Sequence, residues 1–346
     1  MSVRWLIVAP LSVAVGALFS YLHVPAAWIL AAILVSGTMA LATGKDLLVN
    51  KHFYGLSRGF IGVLAAIPLT TVPASTLLGV LPAAVTVSLI TVLVGMSGGV
   101  LLHRSQPRDI SWETGILSML PGGASLMPAL ASELGADYRY VALTQYLRLL
   151  AISVSLPLVV SLLDAPSAHH LASSSAPTPW WAVGITVAIA VCGEWLGEKV
   201  HLPASAVLGP LILTVLVAQL LPGYSLEPIE PFKIMAFLSI GWVCGGGLSV
   251  PALKAFGKQL PATVLFIVVV VGVCALTALP LTAWLHISYF EAYLATTPGA
   301  LETVLALSSE GGAGPAVVAV QIIRLIIVLV IAGYLPQILR AFRKRG

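Results

Sequence analysis

The chain has 346 residues, 59% hydrophobic and 9% charged, with a mean hydropathy of +1.03 and a formal net charge of +4. A soluble domain carries roughly a quarter charged residues, so the composition excludes a soluble enzyme or binding module and implies a polytopic membrane protein. Basic residues stand singly between apolar spans, except in the terminal RAFRKRG, which fits an anchor against anionic lipid and no nucleic-acid partner.

Apolar runs able to cross a hydrocarbon core of about 30 Å recur along the whole length. They predict helices over 6–22, 26–42, 54–71, 78–102 and 140–163, then over 181–198, 203–221, 234–250, 261–285 and 316–338, an all-α fold with about ten transmembrane helices. The first run follows Arg4 and resembles a signal peptide. It has a counterpart later in the chain, so we expect it to be the first helix of a repeat. Segments 112–134 and 290–313 are interrupted at Pro121, Gly122 and Gly123 and at Pro298 and Gly299. Each either crosses the membrane or dips in and returns.

At an offset of 176 to 179 residues the two halves fall into register. His23, Val24, Pro25 and Ala26 meet His201, Leu202, Pro203 and Ala204. Leu81, Pro82 and Ala83 meet Leu260, Pro261 and Ala262, and Gly62 meets Gly241. Glu113 meets Glu291, Pro121 and Gly122 meet Pro298 and Gly299, and Gln145, Arg148 and Leu149 meet Gln321, Arg324 and Leu325. The expected division is a first membrane repeat over 1–165, an external linker over 166–179 and a second repeat over 180–346.

Short cytoplasmic loops collect Lys and Arg, and that bias sets orientation. Setting aside Arg148 and Arg324 leaves 15 of the 17 basic residues. If both interrupted segments re-enter, 14 of these lie inside and only Lys233 outside; if both cross, the split is 11 to 4. The distribution favours re-entry. Five crossings per half is an odd number, so the second repeat is expected to be inverted. Both termini are then cytoplasmic. The linker DAPSAHHLASSSAPTP lacks Lys and Arg, and Trp5, Trp112, Trp180, Trp181 and Trp284 fall near predicted span ends, as an interfacial belt does.

Proline lacks a backbone donor and glycine turns cheaply, so neither interruption can continue as regular helix. Broken backbone at membrane depth is tolerated only inside protein or beside a watery cavity. The helices restarting at Ala124 and Ala300 offer N–H groups suited to an anion, although kinks and packing turns use the same step. Gln145 with Arg148, and Gln321 with Arg324, share a helix face. Each arginine lies about nine residues into its helix, roughly 13 Å deep. An arginine at mid-helix costs about 2.5 to 3.5 kcal/mol, which leaves three fates: binding a solute or ion, snorkelling to the near surface, or capping broken backbone. Glu302 could couple protons, pair with an arginine, or be an ordinary carboxylate in a helix first turn. Ser118, Ser125, Thr296 and Thr297 place hydroxyls beside the breaks, useful to a dehydrated solute or in routine helix contacts.

Glu113, Glu291, Glu194 and Asp137 fall nearer span ends, where solvated positions are the default. All seven histidines map to loops or span ends, and Cys192, Cys244 and Cys274 are isolated in apolar segments, so no metal site is expected. No phosphate loop, nucleophile elbow or hydrolase triad spacing is present, and neither enzymatic activity nor a resident cofactor is expected.

The duplicated PGG and QxxR blocks, with the recurring H[VL]PA junction, resemble the AbrB membrane protein family, whose members carry a tandem duplication. The resemblance covers nearly the whole chain. It implies a multi-pass protein of the bacterial cell (inner) membrane, and the family carries two labels, ammonia monooxygenase and regulator of aidB expression, neither of which these residues dictate. PGG against PGA, and Ser125 against Glu302, distinguish the two halves. The expected function is secondary transport of a small anionic solute, with Arg148, Arg324, Gln145, Gln321, Pro121, Gly122, Gly123, Ser125, Thr296, Thr297, Pro298, Gly299 and Glu302 at the substrate site. A coupling proton or sodium ion is left open, and a homodimer is expected only by analogy with transporters of similar layout. The alternatives are a membrane-embedded ligand-binding protein that affects gene expression and, less well supported by the histidine pattern, a copper-dependent oxygenase.

Overall fold

The computed structural model describes residues 4–22, 24, 26–70, 74–121, 126–162, 179–202, 204–221, 224–247, 254, 257–258, 260–299 and 301–343. Among them every regular element is helical. In the first half these are α1 (Trp5–Tyr21), α2 (Ala27–Thr43), α3 (Lys51–Thr70), α4 (Ala74–Ser105), α5 (Trp112–Met119), α6 (Leu126–Glu133) and α7 (Tyr138–Leu162). In the second they are α8 (Trp180–Lys199), α9 (Ser205–Leu220), α10 (Glu230–Gly246), α11 (Leu260–Leu285), α12 (Tyr289–Thr296), α13 (Leu301–Glu310) and α14 (Pro315–Arg343). Lys51–Thr70, Leu78–Ser105, Trp180–Lys199 and Leu260–Leu285 are long and apolar enough to cross a membrane, and Trp5–Tyr21, Ala27–Thr43, Ser205–Leu220 and Pro315–Val328 are shorter apolar helices. By length and composition these helices are consistent with a helical membrane protein.

Helix ends depart from the apolar runs by a few residues, for a physical reason. α3 starts at Lys51 rather than 54, and α10 at Glu230 rather than 234. Polar first turns extend beyond the apolar stretch, and Pro231 suits the opening turn of α10 because its missing N–H has no helical partner there anyway. At the two H[VL]PA junctions Ala26 and Ala204 adopt left-handed backbone, with φ of 56° and 48°. That conformation costs an L-residue roughly 1–2 kcal/mol, so helix packing on either side must hold the junction.

The chain forms two compact units, each drawing on both halves. The first comprises Met1–Gly79, Ser153–Ser249 and Glu302–Val318. Here α2 packs on α10 while α3 packs on α9, and α1 on α2 is matched by α8 on α9. These contacts depend on missing side chains. A Cβ on Gly62 would lie 2.3 Å from the Val207 carbonyl oxygen, and one on Gly241 would lie 2.5 Å from that of Ile29. Trp242 anchors the α1–α2–α10 side, where its Nε1–H donates to Ser12 Oγ at 2.9 Å within a cluster of Val8, Ala32, Val35, Leu47 and Leu238.

The second unit comprises Val80–Ile152, Val250–Leu301 and Ala319–Gly346. Val92, Ile116, Leu117, Leu120, Met127, Ala131, Val141 and Val328 form its largest described apolar cluster, drawn from α4, α5, α6, α7 and α14. α4 and α11 run antiparallel. Thr91 hydrogen-bonds Cys274, Gly98 faces Val270, and Ala262 and Phe266 pack on the cluster that holds Leu102. Numbers rise along one helix as they fall along the other.

Candidate functional site

Both interruptions follow an eight-residue helix in the second unit. α5 begins at Ser111, whose hydroxyl accepts from the Thr114 N–H at 3.1 Å. α12 begins at Ser288 in a capping box with Glu291. Each helix ends on a residue in extended backbone, Leu120 (φ −63°, ψ 131°) and Thr297 (φ −59°, ψ 128°). Pro121 and Pro298 follow, and the last carbonyls of each short helix are left without intrahelical partners.

The QxxR side chains supply those partners. Gln145 Nε2 donates to the carbonyls of Leu117 (3.0 Å), Ser118 (3.3 Å) and Leu120 (3.2 Å). Arg148 Nη1 donates to Met119 (3.0 Å) and Leu120 (3.3 Å), and Nη2 to Leu120 (3.2 Å) and to Gln145 Oε1. The second half repeats the pattern. Gln321 Nε2 donates to Leu294 (2.6 Å) and Ala295 (3.3 Å); Arg324 Nη1 donates to Thr297 (2.5 Å), and its Nη2 to Gly299 (3.3 Å) and Gln321 Oε1. Neither arginine reaches outward, being 2% and 3% exposed. Their guanidinium groups lie within each other's electrostatic range. Among the described side chains, which do not include that of Glu302, no carboxylate lies within ion-pair distance of either, and Arg148 Nε is buried without a hydrogen-bond partner.

The remaining sequence-selected residues divide. Pro121, Thr296, Thr297, Pro298 and Gly299 are buried beside the breaks. Thr296 Oγ1 donates to the Cys274 carbonyl at 2.9 Å, and Thr297 Oγ1 to that of Tyr293 at 2.5 Å, so both hydroxyls fasten backbone. Ser118 Oγ does the same to Thr114 at 2.6 Å. Gly122, Gly123, Ser125 and the side chain of Glu302 lie outside the described residues. Glu194 pairs with Arg58 at 3.5 Å in the first unit, and Asp137 Oδ1 caps α7 by accepting from the N–H groups of Arg139 and Tyr140. Among the described residues no group of three His, Cys, Asp or Glu could hold a metal ion.

Four contributors carry no signal of their own in a single sequence. Cys274, read as packing, lies within electrostatic range of both arginines. Gly99 and Gly115 bring α4 and α5 together backbone to backbone: a Cβ on either would lie 2.6 or 2.5 Å from the other's carbonyl oxygen. Gly95 likewise leaves room for the Met119 carbonyl, 2.9 Å from where its Cβ would stand. The chain also returns to the start of α5, where the N–H of Asp137 donates to Thr114 Oγ1 at 3.0 Å.

Residues 28–343 match the family described as "Transition state regulatory protein AbrB". The chain is similar to "Putative regulator AbrB" of Escherichia coli (strain K12), 30% identical over 94% of this chain and 93% of that protein. It is also similar to "Uncharacterized protein YhjN" of Bacillus subtilis (strain 168), 23% identical over 92% of this chain and 88% of that protein.

Proposed function

Taking as premise that the chain belongs to the AbrB family, we propose that it is a secondary transporter of a small anionic solute, bound where Arg148 of α7 and Arg324 of α14 meet the two broken segments. The observation behind this is the charge at the breaks. A neutral donor suffices to cap a helix end, as Gln145 does with three carbonyls. A cation at membrane depth costs about 2.5 to 3.5 kcal/mol more than an apolar residue, and it is present at both breaks. The negative pole of each short helix offsets roughly half a unit charge, so each break keeps a positive remainder that an anion would neutralise.

The architecture proposed around this site is a pair of inverted five-helix repeats, each with a re-entrant hairpin. Antiparallel α4 and α11 support inversion, as does the exchanged packing of α2 on α10 and α3 on α9, with Gly62 over Val207 matched by Gly241 over Ile29. The Asp137–Thr114 bond supports re-entry in the first half. Inverted repeats carrying broken helices let a midplane site open alternately to either face. A proton or sodium ion would couple the movement, and a homodimer in the inner membrane, with both termini cytoplasmic, is the assembly proposed.

Purified protein in liposomes tests the reading. Saturable uptake of a small carboxylate or inorganic anion should be lost in Arg148→Gln and in Arg324→Gln while each still elutes as a single folded species. Retained uptake in both removes the proposal. The word "regulator" in the name of the Escherichia coli relative favours a second reading, a membrane-embedded sensor that binds a ligand and signals through a partner. Ligand-induced stabilisation without flux, together with a copurifying protein, would select it.

A further inference from the structure

The two breaks meet one pair of helices at matching places. α4 and α11 touch where Thr91 hydrogen-bonds Cys274. One turn on from Thr91, on the same face of α4, Gly95 leaves room for the first break. A Cβ there would lie 2.9 Å from the Met119 carbonyl oxygen, which accepts from Arg148, and 3.3 Å from Pro121 Cδ. On α11 the Cys274 carbonyl accepts from Thr296 Oγ1 at 2.9 Å, and the neighbouring carbonyl of Thr297 is held by Arg324. The register that sets Leu81 against Leu260 also sets Gly95 against Cys274, so the breaks reach the helix pair at equivalent positions. Cys274 is buried, and its sulfur lies within electrostatic range of both guanidinium groups, which lie within range of each other.

We infer that the two breaks form one anion site rather than two, shared by Arg148 and Arg324 and lined by Thr91 of α4 and Cys274 of α11. Two anions held within the same range would repel one another as the guanidinium groups do, whereas one anion is attracted by both cations. The hydroxyl and the thiol bring uncharged donors, so they leave the positive field of the arginines intact. Arg148 Nε, buried without a hydrogen-bond partner, is a further donor left for that anion. Sharing also explains why the QxxR pattern occurs in both halves: neither break completes the site alone. This rests on the reading that the two arginines face a solute.

The test is chemical modification of the full chain in detergent, with Cys192→Ala and Cys244→Ala leaving Cys274 as the sole thiol. Its reaction with 2-sulfonatoethyl methanethiosulfonate, an anion, is compared by mass spectrometry with that of 2-aminoethyl methanethiosulfonate, a cation of similar size. Each rate is divided by the rate for free cysteine. The anion should be favoured about tenfold or more. Arg148→Gln and Arg324→Gln should each reduce that preference about threefold or more, although Arg148 caps the first break and Cys274 touches the second. Arg148→Lys and Arg324→Lys, which keep the charge and lose the planar fork, should retain it, so loss of charge is told apart from disturbed packing. A Cys274 that reacts with neither reagent, favours the cation, or keeps its full preference in Arg148→Gln overturns the shared site. Anion uptake alongside any of those results would leave the transport reading standing, and the expected preferences in a protein that moves no anion would sink transport and leave the site.

Discussion

The backbone N–H of Asp137 donates to the Thr114 hydroxyl at 3.0 Å, tying the residue that precedes α7 to the first turn of α5. This bond joins the two ends of the segment that holds the first break, beside the apolar packing of Trp112, Leu134 and Ala136. Thr114→Val keeps the shape and removes the acceptor. Asp137 is exposed, so its freed N–H can turn to water, and the expected cost is about 0.5–1.5 kcal/mol. Amides of residues 112–134 should exchange with deuterium up to about tenfold faster, while those of α2 stay unchanged. A uniform change across both units, or none, would show that this bond does not hold the hairpin.

Gly99 and Gly115 should be the least replaceable residues between α4 and α5. The atoms that a methyl group on Gly99 would strike, the Gly115 carbonyl oxygen and the Ile116 Cα, are both main chain and cannot rotate aside. Gly99→Ala should therefore lower stability by about 1–3 kcal/mol. Gly184 in α8 is exposed with open space around its missing Cβ, so Gly184→Ala should be neutral or stabilising by up to about 1 kcal/mol. Thermal unfolding in detergent separates the two, and equal midpoints would contradict the close contact.

The ten longer helices among the described residues were legible in the sequence because a chain that must satisfy its backbone inside lipid has few alternatives to long apolar helices. The QxxR motif was legible as a shared face, and the PG steps as breaks. Where the guanidinium groups point was not. Arg148 meets carbonyls 28 and 29 residues earlier in the chain, a distance set by the tertiary fold. Nor did Gly99 or Gly115 differ, as letters, from Gly79, around whose missing Cβ the space is open; only a neighbouring backbone distinguishes a contact glycine from an idle one.

Gln145→Glu separates charge from scaffolding at the first break. It sets a carboxylate where Gln145 Oε1 now accepts from Arg148 Nη2, so the cation is neutralised in place. Leu117 and Ser118 lose their donor, while Leu120 keeps Arg148. That loss should cost about 1–3 kcal/mol, partly offset by the new ion pair, and leave a folded protein. If the positive remainder recruits the solute, anion uptake should fall roughly a hundredfold or more, since a unit charge at hydrogen-bond range is worth about 4 kcal/mol at an effective dielectric of 20. Unchanged uptake would reduce Arg148 to a lock on the end of α5.

Orientation follows from helix direction. α4 and α11 run antiparallel, and they occupy matching places in the two halves, so the loops that follow them should emerge on opposite faces of the membrane. The positive-inside bias of Arg104 and Arg108 predicts the first of these loops to be inside. In cells expressing chains with the native cysteines replaced by alanine, Arg108→Cys should react with a membrane-impermeant maleimide only after permeabilisation, and Ile287→Cys before it. Each substitution is at a loop position outside the described apolar clusters, so neither should disturb packing. Labelling of both from the same side would mean that the halves are not inverted, and the two breaks could not then present equivalent surfaces to opposite compartments.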